Sequence, residues 1–242
     1  MNKEILFYFI LIGFVTLGIF TNSVDFNPVQ FHCDNYILNT YLYLILSWAI
    51  VMATNSVLKN NNVTMQDLFS GPYTIIFFLV SLGLLMGVYF IPPSMFFTKH
   101  IFYIMLIMIL GVFLYPYYIN NKSLFHHVGI TTLFMLIVLS VISFTFPQLI
   151  SSSWGTYLFI GLIGLVIARI VELFTTYKPD EKRPRIISYI SIIIFSLYIM
   201  YDTKKIIVNA NNCVNPDYIN ESLGLFLDTL NIFQNNYLLS TN

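Results

Sequence analysis

Apolar runs of about 20 residues, the length an α-helix needs to cross the hydrocarbon of a bilayer, recur along the chain between short polar stretches. Seven of them predict membrane helices over residues 5–21, 38–57, 73–92, 101–119, 128–147, 155–174 and 186–203. An eighth segment, 219–239, has helical length but another character, since Glu221, Asp228, Asn231, Gln234, Asn235 and Asn236 all fall within it. The connections carry turn chemistry: "NSVDFNPVQFHCDN" after the first run, "KNNNVTMQDLFSGP" after the second and "PPSMFFTKH" after the third. Pro92, Pro93, Pro116 and Pro147 stand at helix ends, where a missing N–H stops a helix or is tolerated in its last turn. The pattern predicts one all-α helical bundle, with no soluble domain, linker or low-complexity tract.

Composition sharpens this to an integral membrane protein: 57% of the residues are hydrophobic and 9% charged, where soluble domains carry about a quarter charged. Zero formal net charge gives no reason to expect nucleic acid, and the expected partners are lipid, ions and other membrane proteins. A cytoplasmic N-terminus puts Lys3, Lys59, Lys122, Lys178, Lys182, Arg183 and Arg185 inside and Lys99, Lys204 and Lys205 in loops outside, seven against three, which the positive-inside tendency favours. The first run follows a single Lys and lacks a small-x-small cleavage site, so a retained helix is expected. Cys33 and Cys213 both fall in predicted loops. They could pair only if those loops share a face, and two loop thiols are more often free. The Asn-x-Ser/Thr triplets at Asn62, Asn121 and Asn220 are read as chance products of Asn-rich loops.

The eighth segment holds the candidate chemistry. An aspartate at the centre of a lipid-facing helix costs roughly 2.5–3.5 kcal/mol even on lenient insertion scales, so this helix must be surrounded by protein or lie at the interface. Its polar face has no Lys or Arg to hold anionic lipid, which favours burial. Glu221 and Asp228 are seven apart and share one stripe. The preceding run ends "SLYIMYDTKK", with Asp202 just after sixteen uncharged residues. Consecutive helices with a short connection are antiparallel neighbours. If the first extends through Ile207, Asp202 and Asp228 reach comparable heights and can meet. Two carboxylates in a low-dielectric setting would share one proton and titrate as a pair. Losing that proton, or binding a hard cation such as calcium, would change their spacing.

These residues resemble the end of the Bax inhibitor family, also called the transmembrane Bax inhibitor motif family. Tyr201, Asp202 and Thr203 match its penultimate helix, and Leu225, Phe226, Leu227, Asp228, Leu230, Asn231 and Phe233 its last, with Phe226 in place of the usual tyrosine. Weaker similarity runs through "YILNTYLYLILSW", "LGVFLYPYY" and "SSWGTYLFIGLIGLVIA". The resemblance implies a seven-helix domain over residues 38–242 with the last helix at its centre, preceded by an additional transmembrane helix and loop in 1–37. A cytoplasmic N-terminus for the whole chain then inverts the family's usual core orientation. The resemblance further implies a calcium leak from intracellular stores, suppression of apoptosis, and residence in the endoplasmic reticulum or Golgi. Asp202 and Asp228 become the proton and calcium sensor, with cell-death regulatory membrane proteins as further partners. The alternative is a non-conducting protein that regulates cell death by binding other membrane proteins.

Other constellations weigh less. No Lys or Arg interrupts the first five apolar runs, so no early basic residue is expected beside the aspartates. Tyr201 and Asp202 satisfy the first half of an intramembrane aspartyl protease signature, but no glycine adjoins Asp228, so neither enzyme activity nor a cofactor is expected. Arg169 and Glu172, three apart, form either a gate pair or, more simply, a snorkelling pair beside a charged loop. Tyr201, Arg169, Glu172 and Glu221 are kept as supporting or gating candidates. His126 and His127 read as solvated loop histidines. Gly83 with Gly87, and Gly161 with Gly164, offer close helix contact.

Overall fold

The computed structural model describes residues 3–26, 29–71, 73–175 and 185–241. Among them are nine α-helices: α1 (Lys3–Ser23), α2 (Tyr36–Asn60), α3 (Met65–Phe69), α4 (Tyr73–Phe90), α5 (Phe96–Asn120), α6 (Lys122–Thr145), α7 (Trp154–Thr175), α8 (Arg185–Asn211) and α9 (Tyr218–Thr241). The expected polytopic all-α architecture is thus observed. Six helices, α1, α2, α5, α6, α7 and α8, are long and apolar enough to cross a membrane by length and composition. The apolar helix at α4 is shorter, and α9 is long but polar.

The connections hold more structure than their turn residues suggest. Strands β1 (Val24–Phe26) and β2 (Val29–Phe31) form an antiparallel hairpin after α1, and α3 opens on a capping box in which Thr64 and Asp67 satisfy each other's backbone N–H. Pro116 lies inside α5, four residues from its end, and Pro147 begins a 3₁₀ turn.

The chain divides into two compact units, Met1–Lys122 with Asn209–Leu223, and Ser123–Val208 with Gly224–Asn242. In the first, α2 packs on α1 and α5, and α4 packs on α5. The α2–α5 seam closes because Gly111 has no side chain: a Cβ there would lie 3.2 Å from Thr54 Cβ and 3.4 Å from the Val51 backbone. Buried polar groups along the seam satisfy one another, as burial in low dielectric requires. Tyr103 Oη donates to the Tyr43 carbonyl at 2.8 Å and lies 2.7 Å from Ser47 Oγ, while Tyr43 Oη meets His100 Nε2 at 2.7 Å.

Two expectations are corrected in this unit. Lys99 is no loop residue: α5 begins five residues earlier than its apolar run, so Lys99 sits in the opening turn, fully buried. A lone buried ammonium is costly, and here it donates to the Ile91 carbonyl at 2.9 Å and to Asp217 Oδ2 at 2.5 Å. Asp217 also accepts from the Asn220 backbone N–H at 3.2 Å, capping the start of α9. Cys33 and Cys213 are not free thiols: they form a disulfide across 180 residues. Their loops meet because Tyr218 Oη donates to the His32 carbonyl, with the side chains of Phe31, Tyr36 and Tyr43 packed around the Tyr218 ring. At the opposite end of this unit Lys122 pairs with Glu4, and Lys59 and Lys122 lie over the Tyr118 ring.

In the second unit Phe125 of α6 packs edge-on against Phe233 of α9, and Gly161 of α7 seats Ile194 of α8. His126 and His127 belong to the second turn of α6 rather than to a loop, and His127 is exposed. Of the glycine pairs, Gly87 admits Phe102 and Gly161 admits Ile194, whereas Gly83 and Gly164 face open space. Lys178, Lys182 and Arg183, three of the seven basic residues counted on the cytoplasmic side, lie outside the described residues.

Removing the ammonium tests the buried ion pair. Lys99→Met leaves the Asp217 carboxylate, 23% exposed, without its cation, and thermal unfolding in detergent should show a loss of about 3 kcal/mol, the low end for a broken buried pair.

Candidate functional site

No residue of α9 from Tyr218 to Leu239 is exposed. The reason lies in its sequence: a helix with Glu221, Asp228 and Asn235 at heptad spacing carries a continuous polar stripe, which hydrocarbon cannot solvate. Burial on every face is the expected solution, and each residue of the stripe finds its own surroundings.

The centre of the stripe is Asp228, 7% exposed, whose Oδ2 is buried without a hydrogen-bond partner. Asp202 of α8 comes to it. Asp202 lies nine residues before the end of α8 at Asn211, and Asp228 ten residues after the start of α9 at Tyr218. At about 1.5 Å per residue these are near-equal depths. The approach is close because Gly224, one turn before Asp228, has no side chain: a Cβ there would stand 2.7 Å from Asp202 Oδ2. Asp202 thus rests within one turn of α9 from Asp228, and Tyr198 stands one turn before Asp202 on α8. The two sequence-predicted aspartates are therefore brought together.

The supporting candidates separate. Tyr201 turns toward the start of α7, where a Cβ on Gly155 would lie 2.6 Å from its hydroxyl. Arg169 does more than snorkel beside Glu172. Its guanidinium donates to Glu172 Oε2 at 2.8 Å, to Ser188 Oγ at 3.3 Å and to Asn235 Oδ1, so one side chain of α7 binds α8 and α9. Glu221 accepts from Asn209 Nδ2 of α8 at 2.6 Å. Lys99, the early basic residue absent from the sequence expectation, bonds Asp217 at the head of α9.

Sequence reading missed Gly224, Asn209, Ser188 and Asn235 as parts of this arrangement. The heptad of Glu221, Asp228 and Asn235 was the available signal. Among the described residues no group of three or more His, Cys, Asp or Glu side chains could hold a metal ion. Calcium takes six to eight oxygens, so two carboxylates fall short of a closed cage. An orphan buried carboxylate oxygen, one helical turn from the glycine on which a second carboxylate rests, is compatible with a shared proton.

A family model described as "Inhibitor of apoptosis-promoting Bax1" matches residues 33–240. Two curated relatives from two strains of Helicobacter pylori, each described as "Uncharacterized protein", are 35% identical over 82 residues, 34% of this chain. The chain spans about a third of their length, 33%.

The Gly224–Asp202 contact predicts a coupling. Gly224→Ala should destabilise the protein by about 1–3 kcal/mol, as overpacking does, and by under about 0.5 kcal/mol in an Asp202→Ser background, where the methyl has room. Melting curves of the four proteins of this double-mutant cycle measure it.

Proposed function

The chain belongs to the Bax inhibitor family, and on that premise we propose that it is a cell-death-suppressing calcium leak pathway whose opening is set by the protonation of Asp202 and Asp228. The observation that carries this reading is the seat of Asp202 on Gly224 beside Asp228, inside a helix with no exposed face. Sharing one proton, the two carboxylates hold α8 and α9 together. Deprotonated, they repel by roughly 4 kcal/mol at 4 Å and an effective dielectric of about 20. That approaches the roughly 5.5 kcal/mol that carries a two-state equilibrium from one extreme to the other. Parting carboxylates also present oxygens to a passing hard cation without caging it, as permeation requires. Arg169, with Glu172, Ser188 and Asn235, braces the far part of the same stripe.

The reading needs neither enzymatic chemistry nor a cofactor, and its partners are the bilayer, protons, calcium and cell-death regulatory membrane proteins. We place the protein in an intracellular store membrane, endoplasmic reticulum or Golgi. The Cys33–Cys213 disulfide supports an oxidising lumen on that side, and the Lys and Arg asymmetry independently supports cytoplasmic termini.

Protein in liposomes loaded with a calcium dye should pass calcium at a rate that changes between about pH 6 and 8, the window of a shared-proton carboxylate pair, and Asp202→Asn and Asp228→Asn should flatten that profile. Flux no greater than in empty liposomes would leave the non-conducting reading, binding to other membrane proteins. The orientation has its own check. In intact microsomes a membrane-impermeant maleimide should label the protein only after both reduction and permeabilisation, and a C-terminal epitope should be reached without permeabilisation.

A further inference from the structure

The carboxylate pair depends on the register of two antiparallel helices, and something must fix that register. A residue step on α8 is matched by a step in the opposite chain direction on α9. Asn209 stands seven residues after Asp202 on α8, and Glu221 stands seven residues before Asp228 on α9. Seven residues are two turns less about 20°, so on each helix the two positions share a face. The hydrogen bond from Asn209 Nδ2 to Glu221 Oε1 at 2.6 Å and the meeting of Asp202 with Asp228 are therefore one register read at two places. We propose that Asn209 and Glu221 are positioning residues that set the α8–α9 register and thereby hold Asp202 against Asp228.

The neighbouring contacts do a different job. Cys213 is tied to Cys33, Asp217 to Lys99 and Tyr218 to the His32 carbonyl, which fastens the turn between the helices to the α1–α2 connection and to α5. The Asn209–Glu221 bond joins α8 to α9 directly. Its chemistry suits that task. A neutral amide donating to a carboxylate is a charge-assisted bond with a fixed geometry, and a slip by one turn would break it and carry Asp202 off Gly224. Only the consequence for conduction rests on the function proposed above.

The test uses the full-length protein with Asp202→Cys and Asp228→Cys, oxidised under a copper catalyst, with the 202–228 disulfide peptide quantified by mass spectrometry against the native Cys33–Cys213 peptide. The parent should cross-link. Asn209→Leu should cut the yield about tenfold, the value of one lost hydrogen bond to a charged group. Glu221→Gln, which keeps the acceptor, should retain it, and the exchanged pair Asn209→Glu with Glu221→Asn should restore it. A parent that does not cross-link, a yield unmoved by Asn209→Leu, or no recovery in an exchanged pair of unchanged helicity overturns the proposal. A parent that cross-links while the native protein passes no calcium sinks the conduction reading and leaves the register assignment standing.

Discussion

A carboxylate cannot face hydrocarbon, and α9 carries Glu221, Asp228 and a run of amides along one long helix of a polytopic membrane protein. That constraint organises what lies around it. The helix is tolerated only because protein covers it from Tyr218 to Leu239. The covering helices present the opposite pattern, with large apolar residues such as Phe134, Phe159 and Ile193 turned outward and exposed. Lipid supplies no hydrogen bonds, so polar groups on the enclosed helix need protein partners: Ser222, Thr229 and Asn231 use carbonyls of α9 itself, and others depend on neighbours. Asn209 and Arg169 supply two, and Asp202 stands where a third is needed without being a donor unless a proton is present. On α9 the buried Oδ2 of Asp228 and Oδ1 of Asn220 are left without a hydrogen-bond partner, and of these Asp228 Oδ2 is the one that can carry a proton.

A second constraint acts at the head of α9. The residue just before its first turn, Asp217, is held by Lys99, a buried cation compensated by a carboxylate and a carbonyl in contact, and the connection leading into that turn is bound to Cys33 by the disulfide at Cys213. Charge compensation and covalent closure thus act on the same few residues, those that set where α9 begins. The disulfide also bears on orientation. It joins two connections at one end of the first unit, and the Lys and Arg count had already assigned that end to the non-cytoplasmic side.

Glycines show how much of such packing is legible beforehand. Spacing singled out Gly83 with Gly87, yet only Gly87 admits a neighbour, the ring of Phe102. Gly224 and Gly155 were not singled out by spacing, and they are where Asp202 and Tyr201 come to rest. Small residues announce that a close approach is available without saying which face another helix will take, because that depends on how the partner helix is rotated. The histidines were misread for a related reason: Lys122 to His127 is polar enough to look like a connection, but α6 already begins at Lys122.

The sequence by itself determined the class, the number of apolar helices, the anomaly of the last one and the two aspartates, because hydrophobic length and the cost of a charge in lipid are properties of local composition. Tertiary structure alone decided that Cys33 reaches Cys213 across 180 residues, that Lys99 is spent on Asp217 rather than on the aspartate pair, and that Arg169 ties three helices through Ser188 and Asn235. Each of these is a contact between distant residues, and such contacts follow from the rotation and register of packed helices, which no local pattern encodes.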